Sequence, residues 1–108
     1  MLNLKKCIPC EEKIPPLSPE EIVAYGREIP EWTISSDQKH ISRIYTFGDF
    51  VGAIDFVNYV ADVAEQEGHH PDITIHYSAV TLTLWTHAVG GLSENDFILA
   101  LKIDSMRI

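Results

Sequence analysis

Four of the five histidines fall between Glu65 and Asp96, and three of them, His69, His70 and His87, flank a stretch that reads as a β-hairpin. An unperturbed imidazole titrates at about pH 6.5, so such a cluster is equipped to accept and deliver protons near neutrality. Zinc is a poor fit, because the neighbouring side chains of His69 and His70 diverge and no cysteine lies nearby. No His-Glu-x-x-His pattern is present either. Ser78 and Ser93 fall at turn and cap positions, without the strained elbow that exposes a nucleophile. Phosphate-cradling glycine patterns are absent. What remains is general acid-base chemistry on a neutral small molecule, with no metal and no redox cofactor.

The elements that must hold these histidines are legible around them. From Asp49, a plausible N-cap, apolar residues at Phe50, Ala53, Ile54, Val57, Val60, Ala61 and Ala64 repeat at helical spacing and predict the longest helix, about 18 residues. Gly68 suits the left-handed residue beyond its end and Pro71 forbids continuation, so His69 and His70 lie in the exit from a helix. Carboxylates near that C-terminus oppose the helix dipole. Glu65 is then best explained as the partner of a nearby imidazole, and Glu67 as part of a solvated face. Ile73 to Tyr77 and Val80 to Thr86 alternate cleanly and predict a hairpin joined at Ser78 and Ala79. Ile73, Ile75 and Tyr77 would face the core from one strand, and Val80, Leu82 and Leu84 from the other. His87 has the parity of Thr81, Thr83 and Trp85, so it either points away from the core or follows the end of the strand.

Leu92-Ser93-Glu94-Asn95-Asp96-Phe97 reads as a capping box with a Leu92 to Phe97 staple, opening a final helix. A similar start, Leu17-Ser18-Pro19-Glu20-Glu21-Ile22, predicts a first helix running to about Ile29 before Pro30. Between these, Trp32 to Ser35 and Ile41 to Phe47 predict a further hairpin, with Arg43 at a rim and its head solvated. The order helix, two strands, helix, two strands, helix predicts an α+β fold, an antiparallel sheet covered by helices.

At 108 residues and 45% hydrophobic, the chain can bury one core and is read as a single domain from residue 17 to 108, preceded by an irregular arm over residues 1–16. A formal charge of −8 repels phosphate backbones and anionic lipid, which argues against nucleic acid or membrane as partners. No apolar run approaches 18 residues and the start lacks a signal peptide's apolar stretch, so a cytoplasmic protein, or a processed organellar one, is expected. Cys7 and Cys10 form one pair in a proline-rich lead-in, where a zinc ribbon would need a second pair.

Seven positions over the central stretch, Glu65, His69, His70, Pro71, Tyr77, His87 and Asp96, have types and spacing that resemble the signature of the pterin-4a-carbinolamine dehydratases. Similarity extends through Leu17-Ser18, Trp32, Phe47-x-Asp49-Phe50 and Gly91-Leu92-Ser93. The resemblance implies a four-stranded antiparallel sheet with three helices packed on one face, assembled as a homodimer or homotetramer. It also implies dehydration of a 4a-hydroxytetrahydropterin to the quinonoid dihydropterin, the pterin being substrate and no cofactor being needed. His69 and His87 match the family's candidates for exchanging the N5 and 4a-hydroxyl protons, and His70 matches a mainly binding position. Glu65, Asp96 and Trp32 match positioning or substrate-binding places. Two residues depart from the pattern: Trp85 puts a large ring two residues before His87, and Gly68 replaces a polar residue. Other members of the family act as binding proteins, as a dimerisation cofactor or an assembly factor, and tend to have lost part of the histidine set that this chain keeps.

Overall fold

A computed structural model describes residues 16–105. Cys7, Cys10 and nearly all of the expected arm therefore lie outside the described residues. The elements are α1 (Pro19–Gly26), β1 (Thr33–Ile34), β2 (Ile41–Thr46), α2 (Phe50–Glu67), β3 (Asp72–His76), β4 (Ala79–Leu84) and α3 (Glu94–Ser105), with a short 3₁₀ turn at His87–Val89. The strands form one antiparallel sheet in the order β1-β2-β4-β3. Fold class and element order are as the sequence predicts.

Helix α1 starts on the expected capping box, with Ser18 and Glu21 each holding the other's backbone N–H. It ends earlier than Ile29, because Arg27, Glu28 and Ile29 donate three residues back instead of four and the last turn tightens. Tyr25 on α1 reaches α3, where its hydroxyl donates to Glu94 Oε2 at 2.8 Å. That bond, then burial and the charge of Glu94, push the phenol up to about 12. A pKa raised in the folded state means that this tie stabilises fully below the unfolded value of about 10 and is lost as pH rises towards 12. Urea midpoints measured from pH 9 to 11.5 should fall in the wild type and fall less steeply in Tyr25→Phe.

Helix α2 spans 18 residues, close to the expected length, capped by the Asp49 carboxylate accepting from Gly52 N at 2.8 Å. Its buried stripe is Ala53, Phe56, Val60, Val63 and Ala64, rotated from the predicted one, so that Phe50 and Ala61 are exposed. Gly68 ends it at φ +66°, and the N–H groups of Gly68 and His69 both donate to the Ala64 carbonyl. A Cβ on Gly68 would meet nothing within 4 Å, so the cost of Gly68→Ala is backbone strain alone. Chemical denaturation should register a loss of about 1 kcal/mol.

The core lies between one face of the sheet and the helices, with Ile41, Tyr45, Val80, Leu82 and Leu84 packed under Val60, Phe97, Leu99 and Ile103. Four expectations are corrected here. Ile73 and Ile75 pair with Leu82 and Val80 and share their face, yet β3 is an edge strand that the helices do not reach, and both are exposed. The hairpin turns at Tyr77 and Ser78, one residue earlier than predicted, which leaves Tyr77 exposed at φ +54°. Arg43 is held by Asp104 at 3.1 Å and lies over the Tyr45 ring, so its head is not simply solvated. Likewise Glu67 is ion-paired to Lys102 at 3.0 Å with a side chain only 5% exposed.

Candidate active site

Gly68, His69, His70, Pro71, Asp72, Trp85 and His87 line one cavity of about 280 Å³. The left-handed residue at the end of α2 reverses the chain, so His69 turns inward and His70 outward. His69 is 4% exposed and its Nε2 meets Asp96 Oδ1 at 2.6 Å. His70 is exposed, and its Nε2 meets Glu65 Oε2 at 2.5 Å. Both imidazoles thus face a carboxylate, His69 one brought by α3 and His70 one from the last turn of α2 just before it. The buried pair is the stiffer, because water does not compete for either partner.

His87 arrives by the second of its two predicted routes. β4 has ended at Leu84, Thr86 bridges Gly91, and the following 3₁₀ turn aims His87 at the cavity before Gly90 reverses the chain at φ +66°. Its ring lies against Trp85, with centroids 3.9 Å apart and planes tilted by 34°. His40 packs on Trp85 as well, at 5.1 Å. Trp85 therefore forms an aromatic wall that carries one cavity histidine.

Asp96 is fully buried behind His69 and does not line the cavity. Its place in the expected capping box is half realised: Oδ2 accepts from Ser93 N at 3.0 Å, while the Ser93 hydroxyl turns to Thr86 Oγ1 at 2.7 Å. Thr86 Oγ1 also reaches Asp96 Oδ2 at 2.9 Å. Thr86 and Ser93 escape a reading of the sequence, since Ser93 already has a reason as a cap and Thr86 as a strand residue. Trp32 is not brought to the cavity: its indole is buried at the edge of Tyr45 and donates to Asp104 Oδ2 at 2.7 Å.

The arrangement places three imidazoles around one space, one anchored by a buried carboxylate, one by an exposed one and one by an indole. Among the described residues, no group of three or more His, Cys, Asp or Glu side chains is placed to hold a metal ion. Nor, among them, is any helix long and apolar enough to cross a membrane.

Comparison with known proteins points the same way as this geometry. The family model described as pterin 4 alpha carbinolamine dehydratase matches residues 15–106. A protein of Rickettsia bellii, named provisionally as a pterin-4-alpha-carbinolamine dehydratase, is 46% identical over 98% of this chain and 94% of its own length. One from Rubrobacter xylanophilus with the same name is 40% identical over 94% of each. Among solved structures, a transcriptional coactivator/pterin dehydratase from Brucella melitensis superposes with a TM-score of 0.79 at 31% identity, covering 84% of this chain and 97% of that one. A pterin dehydratase-like RuBisCO assembly factor of the alpha-carboxysome shares the fold, with a TM-score of 0.59 at 22% identity, covering 69% and 87%. A match over this much of the chain, on the stretch that builds the histidine cavity, makes the protein a member of the pterin 4 alpha carbinolamine dehydratase family.

Proposed function

We propose that this protein dehydrates a 4a-hydroxytetrahydropterin to the quinonoid dihydropterin, as a step in pterin cofactor recycling. The observation that supports this most directly is the single cavity lined by His69, His70 and His87. Elimination of water across C4a and N5 needs two proton movements. A base takes the N5 proton, the electrons of that bond form the C4a=N5 double bond, and the C4a–O bond breaks as the hydroxyl takes a proton from an acid. Imidazoles in different surroundings can serve both ends near neutral pH. His69 and His87 exchange the two protons; His70, braced by Glu65, binds substrate; Trp85 offers a flat face to a flat heterocycle. Stopped-flow turnover of freshly generated 4a-hydroxytetrahydropterin tests the assignment. Acceleration over the buffer rate is the expected result, and a rate equal to buffer refutes it.

A protein-binding role has an observation of its own. Ile44 is exposed on one face of the sheet, paired with Thr81, while on the other face Ile73 and Ile75 form an exposed apolar patch on the edge strand β3, with exposed Tyr77 beside it. Such a patch suits assembly into a homodimer or homotetramer. Sedimentation equilibrium showing only monomer at micromolar concentration would exclude it.

A further inference from the structure

Every hydrogen in the network behind His69 can be assigned from what each group is able to do. An ionised carboxylate only accepts, and a backbone N–H only donates. Asp96 Oδ2 therefore accepts from Ser93 N and from the Thr86 hydroxyl. With its proton committed to Asp96, the Thr86 oxygen accepts from the Ser93 hydroxyl. Oδ1 alone is left for His69, so Nε2 carries a proton and Nδ1 is the ring nitrogen that remains. Thr86 is itself fixed by its backbone, exchanging bonds with Gly91 in both directions at 2.8 and 3.4 Å. Thr86, Ser93 and Asp96 are all fully buried, so water cannot substitute for a missing member.

We propose that Thr86 and Ser93 are positioning residues: by saturating Oδ2 of Asp96 they aim Oδ1 at His69, fix that imidazole as the Nε2–H form, and make Nδ1 the atom that exchanges a proton with substrate. A carboxylate held by one donor fewer can rotate about its Cβ–Cγ bond, and its hold on the imidazole loosens with it. Thr86 thereby acts on the reaction through two intervening groups and touches no substrate.

The kinetic part of this rests on the dehydratase assignment, so the test has an arm that does not. Nitrogen-15 NMR of the histidine rings reads the tautomer of His69 directly. The wild type should show a protonated Nε2 and a bare Nδ1, and Thr86→Val, nearly isosteric, should show a mixture of the two forms. Turnover of 4a-hydroxytetrahydropterin by Thr86→Val should fall by roughly tenfold in kcat with KM changed by less than about twofold, as expected when orientation and not binding is lost. Thr86→Ser restores the hydroxyl and should restore both readouts. If Thr86 merely packs, Thr86→Val will melt earlier while its tautomer and kcat stay at wild-type values, and that result overturns the proposal. Should the wild type lack dehydratase turnover, the functional assignment fails by itself, and the tautomer of Thr86→Val still decides whether the clamp exists. Should Thr86→Val not fold, Ser93→Ala removes only the hydroxyl that orients Thr86, and an unaltered His69 tautomer there counts against the clamp.

Discussion

Replacing His69 with glutamine is expected to lower kcat for 4a-hydroxytetrahydropterin by roughly a hundredfold, the usual contribution of one positioned proton-transfer group. Glutamine is the informative choice because its amide can still donate to Asp96 Oδ1, whereas alanine would strand a buried carboxylate oxygen and confuse lost chemistry with lost stability. The expected ranking follows from how each ring is held. His69 is buried and fixed by Asp96, so its loss should cost most. His87 is exposed but braced against Trp85, and His87→Ala should cost at least about tenfold, near the lower end for a proton-transfer group. His70, exposed and paired with an exposed glutamate, should affect KM more than kcat. Circular dichroism of each variant establishes that the fold survives. Wild-type turnover in both His69→Gln and His87→Ala would remove the imidazoles from the mechanism.

How much of this could be read from the chain divides along local and non-local lines. The start and stop of α2 are local events: a capping aspartate, a left-handed glycine and a proline within 23 residues, Asp49 to Pro71, fix where His69 emerges. The existence of both hairpins is local too. What alternation cannot reveal is the order β1-β2-β4-β3, which leaves β3 at an edge and Ile73 and Ile75 beyond the helices despite a flawless apolar pattern. Arg43 and Glu67 are similar cases, each polar in sequence and each met by a partner from α3, 61 and 35 residues away respectively in Asp104 and Lys102. The acid-base cluster is legible because histidine is rare enough for its clustering to carry meaning. Thr86 is not, because threonine is common in strands and only the fold, which buries it past the end of β4 against Asp96 and Ser93, distinguishes it from Thr81 and Thr83.

Asp96→Ala should be the most destabilising single change in the site, lowering unfolding free energy by about 3 kcal/mol, the cost of stranding buried partners when one member of a buried pair is removed. Three donors lose their acceptor at once: His69 Nε2, the Thr86 hydroxyl and the Ser93 backbone N–H. Ser93 N also belongs to the start of α3, so the helix loses the acid of its cap as well. Asp96→Asn separates the two consequences. Its amide keeps one oxygen, which can serve Ser93 and Thr86, and turns an N–H₂ towards His69, so the helix start is retained while the imidazole must present a lone pair from Nε2 and carry its proton on Nδ1. Activity should then fall by on the order of a hundredfold, while stability falls by less than in alanine. Urea unfolding and turnover measured on the same two variants check both statements. An alanine variant as stable as wild type would mean that the carboxylate is not the keystone of the network, and an asparagine variant with full activity would mean that the proton on His69 can sit on either nitrogen without consequence.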